Sequence, residues 1–310
     1  MKFAYFEGKI RPFEEAKVSI MTHAFNYGTG CFEGIRGYWN AGENQMFLLQ
    51  MRDHYQRLIN SCKVIKINPG LTLDEMCNIT RELVRKNGYQ EDVYIRPLAY
   101  KAEIMIGLGL TNLKDDFAIY LAPFGEYLDV TKGIRCCIST WVRTDDNAIP
   151  SRAKITGGYV NSSLAKAEAK ENGYAEAIML TSDGHVCEGT GENIFLVRNG
   201  NLVTPPVSDN ILEGITRKSV IHIAKEELGI QTIERHVDRT ELFVADEVFL
   251  CGTGAQITPV IEIDRRPISA GKIGIVTEKI QRLYFEAVRG ENPRYADWIE
   301  PAYPVLSKRG

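Results

Sequence analysis

One lysine stands where its amine could be reactive. Residues 149–159 read IPSRAKITGGY, so Lys154 lies between a proline turn and a Gly-Gly pair, just ahead of a predicted helix. A lysine that attacks a carbonyl group must be deprotonated, which requires a desolvated site or a nearby cation, and the bound partner needs room along the backbone. Taken alone, the segment also fits a solvated surface lysine. Other segments of the chain are needed to distinguish a reactive lysine from a surface one.

Two carboxylates surround a pair of glycines in residues 187–195, CEGTGENIF. A charged hairpin turn would explain Glu188 and Glu192 without any ligand. However, the preceding Ser182-Asp183-Gly184 already supplies a turn, and a second glycine-rich bend between predicted strands favours the close approach of a ligand. This bend is therefore a candidate binding site.

Two further segments could bind anions. Residues 212–217, LEGITR, open a predicted helix at 215, where the N–H groups of Ile215 and Thr216, the Thr216 hydroxyl and the helix dipole together suit a phosphate. Residues 251–259, CGTGAQITP, follow a buried strand with a turn of small residues that could present N–H groups to a second anion.

The first half of the chain contains two clear helix patterns and two clear strand patterns. A capping box from Thr72 to Glu75 and a C-terminal Gly88 predict a helix over 73–87, and an apolar stripe predicts another over 52–65. Residues 92–100 and 116–124 read as strands, and Pro97 places the first of them at a sheet edge or at a bulge. Residues 125–133 have no clear period and are interpreted as a linker.

The second half alternates strands with helices. Helices are predicted near 161–172, 215–228 and 273–289, and strands near 175–181, 192–198 and 247–251, with a hairpin turn at Asn199-Gly200. Strands that pair both through hairpins and across helices favour an α+β domain. The predicted organisation is an N-terminal domain over 1–124, the linker 125–133 and a C-terminal domain over 134–310.

Composition narrows the classes of partner. The chain has 310 residues, 44% hydrophobic and 25% charged, with a formal net charge of −3, so it lacks the basic field that binds nucleic acid or anionic membranes. No stretch approaches the roughly 18 to 20 apolar residues of a membrane helix, and the N-terminus does not resemble a signal peptide. The seven cysteines show no CxxC pair and no nearby histidine ligands. We expect a cytoplasmic protein with reduced cysteines, no metal and small-molecule partners or copies of itself.

Seven segments, in order along nearly the whole chain, carry a family resemblance. The chain resembles the fold type IV pyridoxal-phosphate (PLP) enzymes and, within them, the branched-chain aminotransferases. This resemblance implies a two-domain α+β fold with the cofactor at the domain junction. The segments are GTGCFEGIR (28–36), HYQRL (54–58), VYIRPLAY (93–100), AKITGGYVNSSLA (153–165), EGTGENIF (188–195), LEGITR (212–217) and GTGAQITP (252–259).

The resemblance assigns roles around the cofactor. Lys154 corresponds to the catalytic lysine that holds PLP as a Schiff base, and Glu188 to the carboxylate that pairs with the pyridine nitrogen. Glu192 is then a structural acid. The other positions that the resemblance implies for cofactor binding are Tyr159 near the 3′ oxygen, Arg57, Ile215, Thr216 and Thr253 at the phosphate, and Leu212, Gly214 and Gly252 beside them.

The resemblance also implies a substrate site and a reaction. Tyr94 and Arg96 share one face of their strand, and Arg96 would take the distal carboxylate of glutamate or 2-oxoglutarate. An aromatic wall and a carboxylate-binding turn complete the implied site: Tyr27, Phe32, Phe124 and Tyr127, then Thr253, Gly254 and Ala255. The implied reaction is ping-pong transamination of leucine, isoleucine and valine with 2-oxoglutarate, in which the freed Lys154 amine moves the proton.

Relatives are at least dimers, so the resemblance implies a homo-oligomer, a dimer or a dimer-based hexamer. A loop at 103–110, with apolar residues around Gly107, would complete the neighbouring active site. One departure concerns the turn GTGAQITP, where many relatives have GTAAEITP; Gly254 and Gln256 leave the details of the pocket open.

Three alternatives remain at this point. A D-amino-acid aminotransferase of the same fold would tend to have an Arg-x-His pattern, whereas Leu98 stands two residues after Arg96. A lyase resembling aminodeoxychorismate lyase would use the same lysine to release pyruvate, but those chains are usually shorter. A non-catalytic binding protein would need no acid-base lysine.

Overall fold

The computed structural model describes residues 1–304 and divides the chain into two compact units. Unit 1 contains Met1–Gly125, the short segment Ala153–Gly157 and the described residues from 286 to 304, while unit 2 contains Glu126–Arg152 and Gly158–Phe285. This division differs from the predicted domain bounds. The predicted linker 125–133 falls almost wholly in unit 2, and Lys154 lies in unit 1 although it follows the linker in sequence.

Within residues 1–304 the helices and strands are as follows. The helices are α1 (His23–Tyr27), α2 (Met51–Val64), α3 (Leu73–Asn87), α4 (Tyr159–Glu171), α5 (Ile215–Leu228) and α6 (Ile275–Val288). The strands are β1 (Phe3–Phe6), β2 (Lys9–Pro12), β3 (Gly30–Phe32), β4 (Ile35–Asn40), β5 (Gln45–Leu49), β6 (Val93–Lys101), β7 (Asp115–Pro123), β8 (Ile134–Ile138), β9 (Glu176–Leu180), β10 (Val186–Gly189), β11 (Asn193–Arg198), β12 (Asn201–Thr204), β13 (Thr232–Glu234), β14 (Glu247–Gly252), β15 (Gln256–Ile263), β16 (Arg266–Pro267) and β17 (Ile299–Pro301).

Unit 1 is built on one antiparallel sheet with helices α2 and α3 packed on it. The strand order is β17-β5-β4-β6-β7-β1-β2, with β3 also paired to β6, and the pairings are antiparallel. Strand β6 alternates buried and half-buried residues along its length, as a strand with one face on the core should. Its buried face lies in a core that includes Leu48, Tyr55, Leu58 and Met76.

Helix α3 begins and ends where the sequence predicts. The Thr72 side chain accepts from the Glu75 N–H, the Glu75 carboxylate accepts from the Thr72 N–H, and Gly88 closes the helix in the left-handed conformation at φ 66°. These contacts satisfy backbone groups that would otherwise lack partners at the helix ends.

Pro97 does not lie at a sheet edge, so that part of the prediction was wrong. Strand β6 is central: β7 pairs with it on one side, while β3 and β4 share its other side. Pro97 falls opposite the break between β3 and β4, where its carbonyl accepts from the Glu33 N–H at 3.0 Å. A missing N–H is tolerated there because the neighbouring ladder is already interrupted.

Unit 2 contains a second, mixed sheet of order β10-β9-β8-β15-β14-β11-β12-β13, with β16 paired to β15. The pairs β8·β9, β8·β15 and β12·β13 are parallel and the others are antiparallel. Hairpins and helical crossovers therefore coexist, which confirms the predicted α+β class. Its core includes Ile178, Ile194, Leu196 and Leu250.

Two properties of the described chain bear on its environment. Among residues 1–304, no helix is long and apolar enough to cross a membrane. All seven cysteines are free thiols and buried.

Candidate active site

The backbone of Lys154 is held on both sides within unit 1. Its N–H donates to the Ser61 hydroxyl at 3.0 Å, and its carbonyl accepts from the Phe32 N–H at 3.1 Å. The Lys154 amine lies 4.9 Å from the centroid of the Phe32 ring. The lysine is half-buried, so its amine sits against an aromatic wall and not on a solvated loop.

A close approach of two glycines explains why the segment after Lys154 needs them. Gly28 has φ 66°, and a Cβ on it would lie 2.6 Å from the Cα of Gly157. The Gly157 N–H also donates to the Gly28 carbonyl at 3.1 Å. Any side chain at Gly28 would push the lysine-bearing segment away.

Arg57 pairs with a buried carboxylate that the sequence reasoning missed. Its Nε lies 2.7 Å from Oε1 of Glu33, and one terminal nitrogen lies 2.9 Å from Oε2. Glu33 is fully buried and also lies 2.8 Å from Nδ1 of His54. Both residues stand inside quoted motifs, FEGIR and HYQRL, but spacing alone could not pair them.

The electrostatics of this trio follow from burial and pairing. Burial alone would raise the pKa of Glu33, but Arg57 and His54 hold it well below its usual range. Burial also lowers the pKa of His54, against the opposing effect of Glu33. Arg57 is therefore a positively charged group whose orientation is fixed by an ionised acid.

The predicted substrate strand brings Tyr94 and Arg96 together with two of the predicted aromatic residues. The Arg96 guanidinium carbon lies 4.4 Å from the Phe32 ring centroid and 5.0 Å from that of Tyr94, and its terminal nitrogen donates to the Tyr94 hydroxyl at 3.2 Å. The rings of Tyr94 and Phe124 are 5.1 Å apart. The Arg96 Nε is buried and has no hydrogen-bond partner among residues 1–304.

Two neighbours shape this wall. A Cβ at Gly34 would lie 1.9 Å from the Tyr94 hydroxyl oxygen, so only glycine lets Tyr94 occupy its place. Arg36, which the sequence reasoning did not assign, donates to the carbonyls of Phe124 and Gly125 at 3.1 and 2.8 Å. It thereby fixes the chain at the end of the wall.

Tyr27 contacts a different part of unit 1. Its hydroxyl accepts from the Gly107 N–H at 3.2 Å, and its ring lies 4.8 Å from that of His23. The predicted wall residue thus contacts the loop 103–110.

Glu188 is held rigidly within unit 2. One carboxylate oxygen lies 2.7 Å from Arg143, and the other accepts from the Asn193 amide at 3.0 Å and from the Leu212 N–H at 3.2 Å. Although burial opposes it, Glu188 keeps the pKa of Arg143 above its ordinary value, so the pair is ionised. The sequence reasoning missed Arg143, whose segment TWVRTDD carries no signal for this role.

Helix α5 begins at Ile215, as predicted, and the structure shows Gly214 as its N-terminal cap residue. Gly214 offers no side-chain acceptor to the first N–H groups, and the first turn contains no acidic residue. A Cβ on Gly214 would lie 1.9 Å from the Asn193 side-chain oxygen, so this glycine leaves room for the residue that holds Glu188. Ile215 and Thr216 are both buried.

The turn from Thr253 to Ala255 joins β14 to β15 and is closed by the pair Gly252 and Gln256. Gln256 is buried and adopts a left-handed φ of 56°. The Ala255 carbonyl accepts from the Thr258 hydroxyl at 2.7 Å, which fixes the turn from below. The backbone at Gly254 packs against Tyr127, 3.9 Å from a Cβ built on the glycine.

Tyr159 is the first residue of α4 and is half-buried. Its phenol contributes to the raised pKa of Arg143, the partner of Glu188. Three of the predicted cofactor residues, Tyr159, Glu188 and Leu212, are therefore linked through Arg143 and the Glu188 carboxylate.

Sequence comparison decides the family. The profile of the family Amino-transferase class IV matches residues 30–263. The chain belongs to the class IV aminotransferases. It is 52% identical over 303 residues to a probable branched-chain-amino-acid aminotransferase of Aquifex aeolicus, covering 98% of this chain and 97% of that one.

Solved structures agree with this assignment. A branched-chain aminotransferase from Thermoproteus uzoniensis with norvaline is 45% identical, has a TM-score of 0.93 and covers 97% of this chain and 99% of its own. The PLP-form of the Thermobaculum terrenum enzyme is 41% identical, with a TM-score of 0.93 and coverage of 98% and 99%. The predicted family, the fold of type IV enzymes and the enzyme class of this aminotransferase are thereby confirmed.

Proposed function

We propose that this aminotransferase uses PLP to transaminate the branched-chain L-amino acids leucine, isoleucine and valine against 2-oxoglutarate, giving branched-chain 2-oxo acids and L-glutamate. The relatives named above support this reaction and this cofactor. One observation in the chain carries it: the Lys154 amine and the Arg96 guanidinium lie 4.9 and 4.4 Å from the same Phe32 ring centroid. A reactive amine and a carboxylate receptor thus share one wall.

The residues present fit PLP. The Glu188 carboxylate, ionised beside Arg143, suits a protonated pyridine nitrogen, and Tyr159 suits the 3′ oxygen. The uncapped start of α5 offers N–H groups of Ile215 and Thr216 to a phosphate. We assign Leu212, Gly214, Gly252, Thr253 and the oriented charge of Arg57 to the same cofactor.

Each side chain then has a task. When bound, PLP stabilises the negative charge that develops at the substrate Cα. Lys154 would hold the cofactor through its amine, and the same amine, when free, would take the proton from the substrate Cα and return it within the half-reaction. Glu188 supplies fixed negative charge on a side chain that three contacts prevent from moving.

The substrate site must accept an apolar side chain and, in the second half-reaction, a carboxylate. We assign the distal carboxylate of 2-oxoglutarate to Arg96, whose buried Nε has no hydrogen-bond partner in the described part of the chain. The apolar side chain is assigned to the aromatic residues Tyr27, Phe32, Tyr94, Phe124 and Tyr127. The N–H groups of Thr253, Gly254 and Ala255 are assigned to the α-carboxylate.

The working form is proposed to be a homo-oligomer, a dimer or a dimer-based hexamer, in which the loop 103–110 completes the neighbouring active site. Ile104, Ile106 and Leu108 on this loop are 59%, 84% and 80% exposed. So many exposed large apolar side chains on one loop favour burial against another chain. The adjoining Phe25 is 69% exposed and extends the same surface, since Thr22 bridges to Ile104.

A cytoplasmic location is proposed as well. Seven free, buried thiols are typical of a protein that stays in a reducing compartment.

A panel of amino donors tests the reaction. We expect L-leucine, L-isoleucine and L-valine to convert 2-oxoglutarate to L-glutamate, with the matching 2-oxo acids formed in equal amounts. Activity with D-amino acids alone would overturn the proposal in favour of a D-amino-acid aminotransferase. Release of pyruvate from aminodeoxychorismate without any amino acceptor would favour the lyase.

A further inference from the structure

Unit 2 contains a buried cluster of three acids and two bases beside the carboxylate-binding turn. Glu176, Glu188 and Glu192 are 0%, 3% and 4% exposed. Their basic neighbours are Lys166 and Arg143. If every acid were ionised, the cluster would hold one uncompensated negative charge away from water, which is costly.

Both bases form ion pairs with acids other than Glu192. The Lys166 amine lies 2.5 Å from Glu176 and donates to the Ala175 carbonyl at 2.8 Å. The second oxygen of Glu176 accepts from the Ala177 N–H at 2.8 Å and from the Thr190 hydroxyl at 2.7 Å. Arg143 pairs with Glu188 at 2.7 Å.

Glu192 is the acid without a base of its own. Its carboxyl accepts from the Gly191 N–H at 3.0 Å, and among residues 1–304 no Lys, Arg or His forms an ion pair with it. Burial and the charge of Glu176 raise the pKa of Glu192 to about 8, although Gly191 and Lys166 act in the opposite direction.

The other ionisable groups that face Glu192 are neutral. They are the thiols of Cys136 and Cys251 and the phenol of Tyr127. Burial raises the pKa of each of these three groups, so none of them compensates a charge on Glu192.

The side chain of Glu192 lies directly beside the turn that we assign to the α-carboxylate. Asn193 pairs with Cys251 across β11 and β14, which brings the next residues, Glu192 and Gly252, alongside each other. A Cβ built on Gly252 would lie 3.7 Å from the Cα and 3.8 Å from the Cγ of Glu192. A charge on Glu192 would therefore oppose an anion at the turn.

We propose that Glu192 is a positioning residue that must carry its proton in the working enzyme, because only the neutral acid leaves the turn 253–255 able to receive a substrate carboxylate. The effect of Glu192 on the binding of a substrate carboxylate rests on the proposed function. The protonation of Glu192 is a property of the protein alone and is tested without measuring activity.

The direct test is infrared difference spectroscopy of wild-type enzyme against Glu192→Gln at pH 7. We expect the wild type to show the carbonyl band of a protonated carboxylic acid that the variant lacks, and Glu171→Gln on the exposed face of α4 to retain it. Titration of the wild type alone should remove the band with a midpoint near 8. A wild-type spectrum without such a band at pH 7 overturns the proposal, whether or not the variant folds.

The pH dependence of thermal stability is a second test of whether Glu192 is protonated. The pKa of Glu192 in the folded chain lies above its ordinary value of 4.5, so stability is lost as pH rises from about 4.5 to about 8. The glutamine in Glu192→Gln cannot ionise. The melting temperature of the variant minus that of the wild type should therefore increase between about pH 4.5 and about pH 8 and stay constant above that range. A difference that does not change with pH contradicts the proposal.

The effect of a charge on Glu192 on substrate binding is measured as a ratio of KM values. Between pH 7 and pH 9, the KM of the wild type for L-leucine should rise about tenfold more than that of Glu192→Gln, since only the wild type gains a charge beside the turn. Taking the ratio cancels the titration of the substrate amine. An active enzyme with an unchanged ratio refutes the role of Glu192, whereas an enzyme inactive with every L-amino donor refutes the proposed function instead.

Discussion

At the scale of single residues, the site depends on charges that are fixed by other charges. Arg57 is oriented by Glu33, and Glu188 by Arg143. In both pairs the acid is buried and the arginine is mostly shielded from solvent. A buried carboxylate that lost its base would be strongly destabilising, so these pairs also tie the site to the stability of each unit.

The pair of Glu33 and Arg57 leads to a stability prediction. Replacing Glu33 with Gln should destabilise the enzyme by about 3 kcal/mol at pH 7, because Arg57 and His54 lose their common partner. The measurement is urea denaturation, and Glu43→Gln, an exposed acid of the same unit, should change stability by less than about 0.5 kcal/mol.

The sign of the pH dependence follows from the direction of the shift. The pKa of folded Glu33 lies well below its ordinary value of 4.5, so its contribution is present above that value and is lost as pH falls below it. The gap between wild type and Glu33→Gln should narrow in acid. Equal stability of the two proteins at pH 7 would show that the trio contributes nothing.

The sequence identified the candidate reacting residues, but it did not identify the side chains that hold them. Lys154 and Glu188 stand in segments whose composition suggests chemistry, and Arg96 is assigned through the family resemblance. Glu33 and Arg143 act through contacts with residues that are 24 and 45 positions away. No local pattern encodes such distant pairing, so only the three-dimensional structure identifies it.

At the scale of elements, glycines set how closely neighbouring segments approach. Gly214 caps α5 and at the same time gives room to the Asn193 side chain, which holds Glu188. The start of the helix and the position of the carboxylate are therefore coupled.

This coupling predicts how one added methyl group at Gly214 affects cofactor binding. Gly214→Ala should displace Asn193, loosen Glu188 and weaken PLP binding by about tenfold, since a hydrogen bond to a charged group contributes about 1.5 kcal/mol. Cofactor affinity can be measured by fluorescence titration of the apoenzyme. The control Gly42→Ala, where a Cβ meets only a side-chain oxygen at 3.4 Å, should bind PLP normally.

An unchanged affinity in Gly214→Ala would mean that Asn193 does not position Glu188. Measuring Asn193→Ala in the same assay then shows whether the amide contributes at all.

Element boundaries were predictable where local chemistry determines them. Helix α3 was predicted from its capping box and its closing glycine, and α5 was predicted to span 215–228, as observed. The position of Pro97 was not predictable, because it depends on where β3 ends and β4 begins on the neighbouring side of β6.

At the scale of the whole molecule, the chain order does not follow the division into units. The segment Ala153–Gly157 belongs to unit 1 although its neighbours in sequence belong to unit 2. Composition and periodicity describe the chain in sequence order, so they could not assign this segment, which carries the proposed catalytic Lys154, to the earlier unit.

The exposed loop 103–110 predicts an oligomer. Sedimentation or light scattering should find at least a dimer, and the double substitution Ile106→Asp and Leu108→Asp should shift it towards the monomer, because two charges would enter an apolar contact. Val244→Asp changes a residue of unit 2 that is 61% exposed and should leave the oligomer intact. A monomeric wild type at micromolar concentration would contradict the assignment of this loop.

The proposed reaction depends on Lys154 as the residue that binds the cofactor. Borohydride reduction of the PLP-loaded enzyme fixes the cofactor to the amine that holds it, and peptide mass mapping then locates the modified residue. We expect a single modified peptide with the label on Lys154. A label on another lysine, or an unlabelled protein that still transaminates, would contradict it.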